Sequence, residues 1–173
     1  MRRLRYSVAS SLDGFIAGPN GEYDWIPMDP DIDFAAMFAE FGTIVMGRTS
    51  WDVTRTSPMA KFDMPVFVYS RTLPEGEQGG ITVVRDGVAH ARALKQGNGK
   101  DIWLWGGGVL FRELATAGLV DAVTVAIVPV VLGEGLPLMA PPGTRLTLRL
   151  TGQRTYPKTG TLLLDYDVIS SFA

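Results

Sequence analysis

Short apolar runs alternate with stretches of helical apolar spacing over roughly the first two thirds of the chain. The runs predict strands at residues 4–9, 43–46, 65–69, 81–84 and 102–105. The helical spacing predicts helices over residues 32–41, 86–95 and 109–117, with a further strand-to-helix junction at 47–52. Asp31 or Asp33 could cap the first of these helices. This alternation is typical of a mostly parallel sheet with helices on its faces, which binds ligands at the carboxyl ends of its strands.

The pattern changes after Gly118. Three strands follow in succession, at residues 122–132, 146–154 and 161–169, with a loop rich in glycine and proline at 133–143. Successive strands without intervening helices predict antiparallel or edge strands. The sequence shows no internal repeat and no long linker, so residues 1–173 are interpreted as a single domain.

The stretch 101–118 joins an apolar run directly to Gly106, Gly107 and Gly108 and then to an amphipathic helix. A helix start has unpaired N–H groups and the positive end of the helix dipole, and glycine lets an anion approach closely. The stretch lacks a P-loop lysine and the spacing of the Rossmann fingerprint. A tight turn and a phosphate site are therefore both open interpretations.

Two further strand ends carry groups that can bind phosphate. They are Gly47-Arg48-Thr49-Ser50 and Ser70-Arg71-Thr72. Two arginines, several hydroxyls and a glycine-rich helix start suit a ligand with separated phosphates, such as the dinucleotide NADPH. The alternative for each arginine is a solvated surface charge.

The composition of the chain excludes several kinds of site and partner. The chain has 173 residues, a formal net charge of -2, no cysteine and one histidine. Disulfides, thiolate metal sites and cysteine nucleophiles are therefore absent, and metal-independent chemistry is favoured. A charge near zero without a basic cluster argues against nucleic acid or an anionic membrane as a partner and favours a small-molecule ligand. The N-terminus has the positive start of a signal peptide but is followed directly by polar residues instead of a long apolar run. We therefore expect the protein in the cytoplasm.

Several residues are candidates for substrate contact. Asp13 could donate a proton or anchor a substrate, although an aspartate before glycine is more often a turn former. Trp25 could cover a planar substrate or pack in the core. Trp103 and Trp105 alternate with Leu104 and so face one side of the sheet, where core packing is favoured for Trp103 and Trp105 is a candidate substrate contact. His90 is interpreted as a helix-face residue without a catalytic part.

The chain contains four motifs that resemble those of the dihydrofolate reductase superfamily, and more closely those of the reductase domain of the riboflavin-biosynthesis deaminase-reductase. They are Ser11-Leu-Asp-Gly-Phe-Ile-Ala17, Ile44-Val-Met-Gly-Arg-Thr-Ser-Trp51, Leu104-Trp-Gly-Gly-Gly-Val-Leu-Phe111, and Leu119-Val-Asp-Ala122 leading to Pro129-Val-Val-Leu-Gly-Glu-Gly135. The resemblance implies an α/β, dihydrofolate-reductase-like three-layer fold, with a mostly parallel central sheet and antiparallel C-terminal strands.

The resemblance also implies NADPH as the cofactor. Its adenosine phosphate end would be held by Gly47, Arg48, Ser50, Ser70 and Arg71. The pyrophosphate turn would be formed by Gly106, Gly107, Gly108, Val109 and Leu110, with a cis peptide bond between Gly106 and Gly107.

The expected substrate depends on the branch of the superfamily. The riboflavin branch matches Asp13 and implies reduction of 5-amino-6-(5-phosphoribosylamino)uracil, while folate-reducing members have a carboxylate near the position of Asp31 and imply dihydrofolate. The cysteines of a deaminase zinc site are absent, so we expect a stand-alone reductase. A dinucleotide-binding module without catalysis is the alternative from another class. Apolar residues at 123–132 and the relatives of the riboflavin branch together predict a homodimer through the C-terminal strands.

Overall fold

The computed structural model describes residues 1–57 and 61–172. Its strands are β1 (Leu4–Ser11), β2 (Phe15–Ala17), β3 (Phe41–Gly47), β4 (Val66–Tyr69), β5 (Gly76–Gln78), β6 (Ile81–Val84), β7 (Asp101–Gly106), β8 (Ala122–Val128), β9 (Leu136–Pro137), β10 (Arg145–Tyr156) and β11 (Thr161–Phe172). Its helices are α1 (Phe34–Ala39), α2 (Arg48–Thr54), α3 (Gly87–Gln96) and α4 (Gly108–Thr116). Each predicted strand and helix is present, with ends that differ by a few residues.

Nine strands form one sheet in the order β10-β11-β8-β1-β7-β3-β4-β6-β5. The six strands from β8 to β6 in this order are parallel to one another, and β5, β10 and β11 are antiparallel to their neighbours. The mostly parallel α/β class is therefore confirmed.

The prediction for the first C-terminal strand is wrong in part. β8 pairs in parallel with β1, with Ser7 opposite Thr124, and antiparallel only with β11. The reason is that α4 carries the chain across the sheet between β7 and β8, and such a crossover preserves strand direction. β1 consequently lies in the middle of the sheet, between β7 and β8.

Three short strands do not follow from the sequence pattern. β5 pairs with β6, and β2 pairs with β9 in a small second sheet. Strands of two or three residues are too short to show a periodicity, and β2 and β9 lie within segments dense in glycine and proline. The small sheet matters for the site because it holds the residues after β9 beside the start of α4.

Side-chain caps define the starts of two helices. The Asp33 carboxylate accepts the N–H of Ala36 at 2.8 Å, and the Asp86 carboxylate accepts the N–H of Ala89 at 3.0 Å. Of the two caps considered for the first helix, Asp33 is the one present. That helix is shorter than predicted because Phe41 already belongs to β3.

Hydrophobic clusters lie on both faces of the sheet, as the alternation along β7 shows. Ile102 and Leu104 belong to one cluster, and Trp103 and Trp105 belong to the other. Trp103 is almost fully buried and donates its indole N–H to the Ser7 carbonyl at 3.0 Å. The prediction that both tryptophans share a face and that Trp103 packs in the core is confirmed.

The apolar residues of β8 are used within the protomer. Val123, Val125 and Val128 are buried in the chain itself, whereas Val131 is 65% exposed. The surplus of apolar surface behind the dimer prediction is therefore smaller than the sequence indicates. Association into a homodimer stays a prediction. Within residues 1–57 and 61–172, no helix has both the length and the apolar character needed to cross a membrane.

An ion pair joins α3 to the start of β8. The Lys95 ammonium pairs with the Asp121 carboxylate and donates to the Leu119 carbonyl at 2.7 Å, and only 7% of Lys95 is exposed. Asp121 also accepts the N–H of Leu4 at 2.7 Å. One carboxylate therefore satisfies a buried cation and the first N–H of β1.

We expect Asp121→Ala to lower the free energy of unfolding by about 1–3 kcal/mol, because it leaves the buried Lys95 ammonium without its counter-ion and the Leu4 N–H without its acceptor. Asp52→Ala is the matched control. Among the described residues, Asp52 pairs with exposed Arg48 and Arg55, and we expect its loss to cost about 1 kcal/mol or less. Urea denaturation of the two variants measures the difference, and equal losses would contradict the structural role of Asp121.

Candidate functional site

A cleft of about 1670 Å³ runs along the carboxyl ends of the parallel strands. Binding pockets commonly have about 300–1,000 Å³, so the cleft has room for a dinucleotide and a second molecule. One half is lined by the residues that follow β3, β4, β6 and β7. The other is lined by residues of β1, β2, β8 and β11, by Trp105 of β7 and by residues of the segment 21–37. We call these the strand-end half and the apolar half.

The strand-end half brings together ten residues that were predicted to bind the cofactor. Gly47, Arg48, Ser50, Ser70, Arg71, Gly106, Gly107, Gly108, Val109 and Leu110 all line this half. They come from three strand ends that are far apart in sequence. The parallel order of β7, β3 and β4 places those ends side by side.

The glycine turn after β7 is crowded on two sides. A Cβ atom at Gly107 would lie 3.3 Å from the Ser50 hydroxyl oxygen, and one at Gly108 would lie 2.4 Å from the Pro137 carbonyl oxygen. The expected cis bond between Gly106 and Gly107 is wrong. That bond is trans, and the φ angle of 97° at Gly107 turns the chain there.

The starts of α3 and α4 differ in their capacity for anions. Asp86 caps α3 with its own carboxylate, whereas Gly107 caps α4 without any side-chain hydrogen bond. The first N–H donor of α4 with a helical partner is Phe111, which bonds to the Gly107 carbonyl at 2.9 Å. The preceding N–H groups of α4 therefore retain donor capacity at the positive end of the helix dipole.

Three arginines line the strand-end half. Arg48 donates to the Thr72 hydroxyl at 2.8 Å and pairs with Asp52, and Arg71 has an 83% exposed side chain beside Glu113. Exposed pairs of this kind contribute about 1 kcal/mol or less, so a phosphate could displace them at little cost.

The third arginine, Arg85, was not predicted. It donates to the carbonyl groups of Arg71 and Leu73 and thereby holds the loop after β4. The signal was present in the sequence, because Arg85 directly follows an apolar strand just as Arg48 does. The sequence instead indicates a helix start at the next residue, Asp86.

Ser70 has a structural part in the same loop. Its hydroxyl oxygen accepts the N–H groups of Thr72 and Leu73 at 3.2 and 3.1 Å, and the residue is buried. These bonds shape the turn that presents Arg71.

Of the four predicted substrate contacts, Trp105 lines the cleft, and Asp13, Trp25 and Asp31 do not. The Trp25 indole N–H bonds to the Glu22 carbonyl at 3.1 Å, and Asp31 pairs with Lys158 at 2.8 Å. Asp24, which the sequence did not single out, is the aspartate of this segment that lines the cleft.

Asp13 accepts backbone N–H groups from the loop after β8. Its carboxylate oxygens lie 3.1 Å from the Leu132 nitrogen and 2.7 Å from the Gly133 nitrogen. Hydrogen bonds from the Ser11 hydroxyl and from these N–H groups lower the pKa of Asp13 to about 2. A proton donor needs a raised pKa, whereas the pKa of Asp13 is lowered, so this geometry does not support proton donation. The catalytic role of Asp13 stays a prediction.

Asp29 anchors the segment that carries Asp24. Asp29 is 2% exposed, and its carboxylate accepts the Asp31 N–H at 2.9 Å and the Thr159 hydroxyl at 2.8 Å. Burial opposes ionisation of Asp29, but these bonds and nearby Lys158 outweigh it and lower its pKa. The segment is thereby tied to the turn between β10 and β11.

The fold defines a class, an α/β domain of the dihydrofolate-reductase-like type with a large cleft at the carboxyl ends of its strands. Residues 2–162 match the model of the RibD C-terminal domain family, so the chain belongs to that family. It is 36% identical over 168 residues to the uncharacterized protein YyaP of Bacillus subtilis (strain 168), with 90% of this chain and 89% of that protein covered.

Solved structures share this fold. A crystal structure described as a candidate riboflavin biosynthesis protein from Shewanella sp. PV-4 has a TM-score of 0.77 and 26% identity, over 98% of this chain and all of the other. Dihydrofolate reductase from Enterococcus faecalis, in complex with NADP(H) and RAB-propyl, has a TM-score of 0.70 and 17% identity over 97% of each chain. The expected dihydrofolate-reductase-like fold and the expected membership of the riboflavin-biosynthesis (RibD) C-terminal domain family are both confirmed, and they support a reductase.

We expect Gly108→Ala to destabilise the protein by about 1–3 kcal/mol, because its Cβ would collide with the backbone at Pro137. Gly47→Ala is the matched control, since nothing lies within 4 Å of a Cβ there, and we expect it to cost about 0.5 kcal/mol. Thermal unfolding compares the two. Equal losses would show that the contact of Gly108 with Pro137 is unimportant.

We expect Asp13→Asn to remove a pH-dependent part of the stability. With a folded pKa of about 2, below the ordinary value of 3.8, Asp13 stabilises the fold above about pH 4 and loses this effect as the pH falls toward 2. The difference between wild type and variant in urea denaturation should therefore shrink from pH 6 to pH 2.5. A difference that is constant with pH would contradict the assignment.

Proposed function

We propose that the protein is an NADPH-dependent reductase that acts on a small heterocyclic substrate. The observation that carries the proposal is the uncapped glycine turn at the start of α4, which lies in one half of a cleft with Arg48, Arg71 and Arg85. Membership of the RibD C-terminal domain family supports the same activity.

The residues of the strand-end half fit the phosphates of such a cofactor. Gly107 has no Cβ, and one placed there would fill the space beside the Ser50 hydroxyl. The N–H groups of Gly108, Val109 and Leu110 are suited to the pyrophosphate, and Arg48 and Arg71 to the 2′-phosphate of the adenosine ribose. When bound, the cofactor supplies a hydride, and the protein supplies binding and orientation.

The apolar half would hold the substrate. Trp105 lines this half and would contact a flat ring, and Trp103 packs against Trp105 from the core at a centroid distance of 4.6 Å. The substrate expected from the family resemblance is 5-amino-6-(5-phosphoribosylamino)uracil, with dihydrofolate as the second choice. Both stay predictions, as does the cytoplasmic location.

The first test is cofactor preference. Hydrogen bonds to charged groups contribute about 1.5–3 kcal/mol each, so we expect NADPH to bind at least roughly tenfold more tightly than NADH. Arg48→Ala and Arg71→Ala should each weaken NADPH while leaving NADH nearly unchanged. Quenching of tryptophan fluorescence measures both affinities.

Arg149→Ala is the matched control for this test, because Arg149 pairs with Asp167 on the β10–β11 hairpin and does not line the cleft. It removes one positive charge and should leave both affinities unchanged. Equal binding of NADPH and NADH by the wild type would contradict the assignment of Arg48 and Arg71 to the 2′-phosphate.

The second test concerns Asp13. Because its carboxylate is occupied by backbone N–H groups, we expect Asp13→Asn to change turnover less than tenfold once a substrate is identified. Loss of general acid catalysis would instead slow turnover about a hundredfold or more and would restore Asp13 as the proton donor.

The alternative from another class is a dinucleotide-binding module without catalysis. Continuous NADPH oxidation with pyrimidine or pterin substrates separates the two. Tight NADPH binding without oxidation by any member of such a panel would favour the module.

A further inference from the structure

We propose that the apolar half of the cleft takes a flat, uncharged heterocycle that carries no phosphate group. The inference rests on the proposed reductase function and narrows its substrate class. It differs from the expectation of a phosphoribosyl substrate that the family resemblance gives.

The walls of the apolar half are made of aliphatic and aromatic side chains. They include Ile16, Ile26, Pro27, Met28, Ile32, Phe34, Met37, Trp105, Val128 and Leu163. Behind Trp105 the aromatic packing continues, with Phe62 at 5.1 Å and Phe38 at 6.3 Å between ring centroids. Such a wall favours a flat ligand through apolar burial and ring stacking.

The strand order separates the arginines of the cleft from its apolar half. Arg48, Arg71 and Arg85 follow β3, β4 and β6, which lie on one side of β7 in the sheet. Strands β1, β8 and β11 lie on the other side, and the described residues that they contribute to the cleft are uncharged.

The charged side chain that the segment 21–37 contributes to the lining is a carboxylate, Asp24. The hairpin next to the apolar half has a cation, Lys158, but its ammonium pairs with Asp31 at 2.8 Å and does not line the cleft. The hydrogen bond to Asp31 and the attraction of its negative charge raise the pKa of Lys158. The ion pair between Lys158 and Asp31 also helps to hold the segment 21–37 against the turn between β10 and β11.

A phosphate group in the apolar half would lose water without gaining a cation. Buried phosphates are bound by arginine, lysine or helix N-termini, which make strong charge-assisted bonds. In this cleft such donors lie in the strand-end half, where the cofactor phosphates compete for them. A phosphate in the apolar half would instead face alkyl groups and the negative charge of Asp24, and both disfavour it.

The test compares ligands that differ only in the phosphate. Riboflavin and riboflavin 5′-phosphate form one pair, and 5-amino-6-(5-phosphoribosylamino)uracil and its dephosphorylated form the other. Calorimetry is done with saturating NADP⁺, so that the strand-end half is filled, and is repeated without NADP⁺ on an Arg48→Ala/Arg71→Ala double variant. In each pair that binds, we expect the unphosphorylated member to bind tenfold or more tightly than its partner under both conditions.

Equal affinities, tighter binding of the phosphorylated members, or no binding of either unphosphorylated compound would overturn the inference. NADPH oxidation by either member of the pyrimidine pair reports separately on the proposed reductase function. A reductase that prefers the phosphorylated pyrimidine would keep the function and remove the inference. Preference for the unphosphorylated members, without NADPH oxidation by any pyrimidine or pterin of the panel, would keep the ligand class and remove the reductase function.

A gain-of-charge variant tests the same idea from the protein side. Met28 lines the apolar half and is 62% exposed, so Met28→Arg places a cation there without disturbing the core. We expect it to raise the affinity for the phosphorylated members about tenfold relative to the unphosphorylated ones. Val131→Arg is the control, because Val131 is 65% exposed and does not line the cleft, and it should leave the preference unchanged. Equal effects of the two variants would contradict the inference.

Discussion

The close approach of the chain after β9 to the start of α4 is the constraint on which the cleft depends. The Ala140 N–H donates to the Gly108 carbonyl at 3.1 Å, and the Leu138 N–H donates to the Gly14 carbonyl at 2.9 Å. The Tyr6 hydroxyl reaches the Leu138 carbonyl at 3.0 Å from the core. These bonds fasten an irregular segment to three separate parts of the fold, and the absence of a side chain at Gly108 makes the approach possible.

The glycine turn therefore serves two purposes that need the same residue type. Gly108 admits a backbone on one side of the turn, while Gly107 leaves space beside Ser50 on the other. The helix start stays uncapped because neither glycine has a side chain to bond to it. The packing requirement and the proposed anion binding therefore involve adjacent glycines.

The cleft has a positively charged half and an apolar half, and these halves follow the order of the strands in the sheet. The arginines follow strands on one side of β7, and the apolar half is built from strands on the other side and from a segment anchored by buried Asp29. A ligand with several phosphates and a ligand without any can thus lie next to each other without competing for the same groups. Family membership supports the reductase class, while the proposed substrate preference rests on the walls of the apolar half.

The sequence by itself determined the alternation of strands and helices, the family, and the strand-end residues from Gly47 to Leu110 that line one half of the cleft. These features are local, since each depends on an apolar run followed directly by glycine, arginine or hydroxyl residues. It also predicted Trp105 as a cleft residue and Trp103 as a core residue from simple alternation.

Only the tertiary structure decided the direction of β8, the pairing of β2 with β9, and the environments of Asp13, Asp24 and Asp29. Strand direction depends on where α4 carries the chain, and two- or three-residue strands show no period. The pKa of an aspartate depends on donors that lie far away in sequence: Asp13 meets N–H groups about 120 residues later, which hold it ionised instead of protonated. Residue type states what a carboxylate can do, and the partners that folding brings to it decide which of those possibilities is realised.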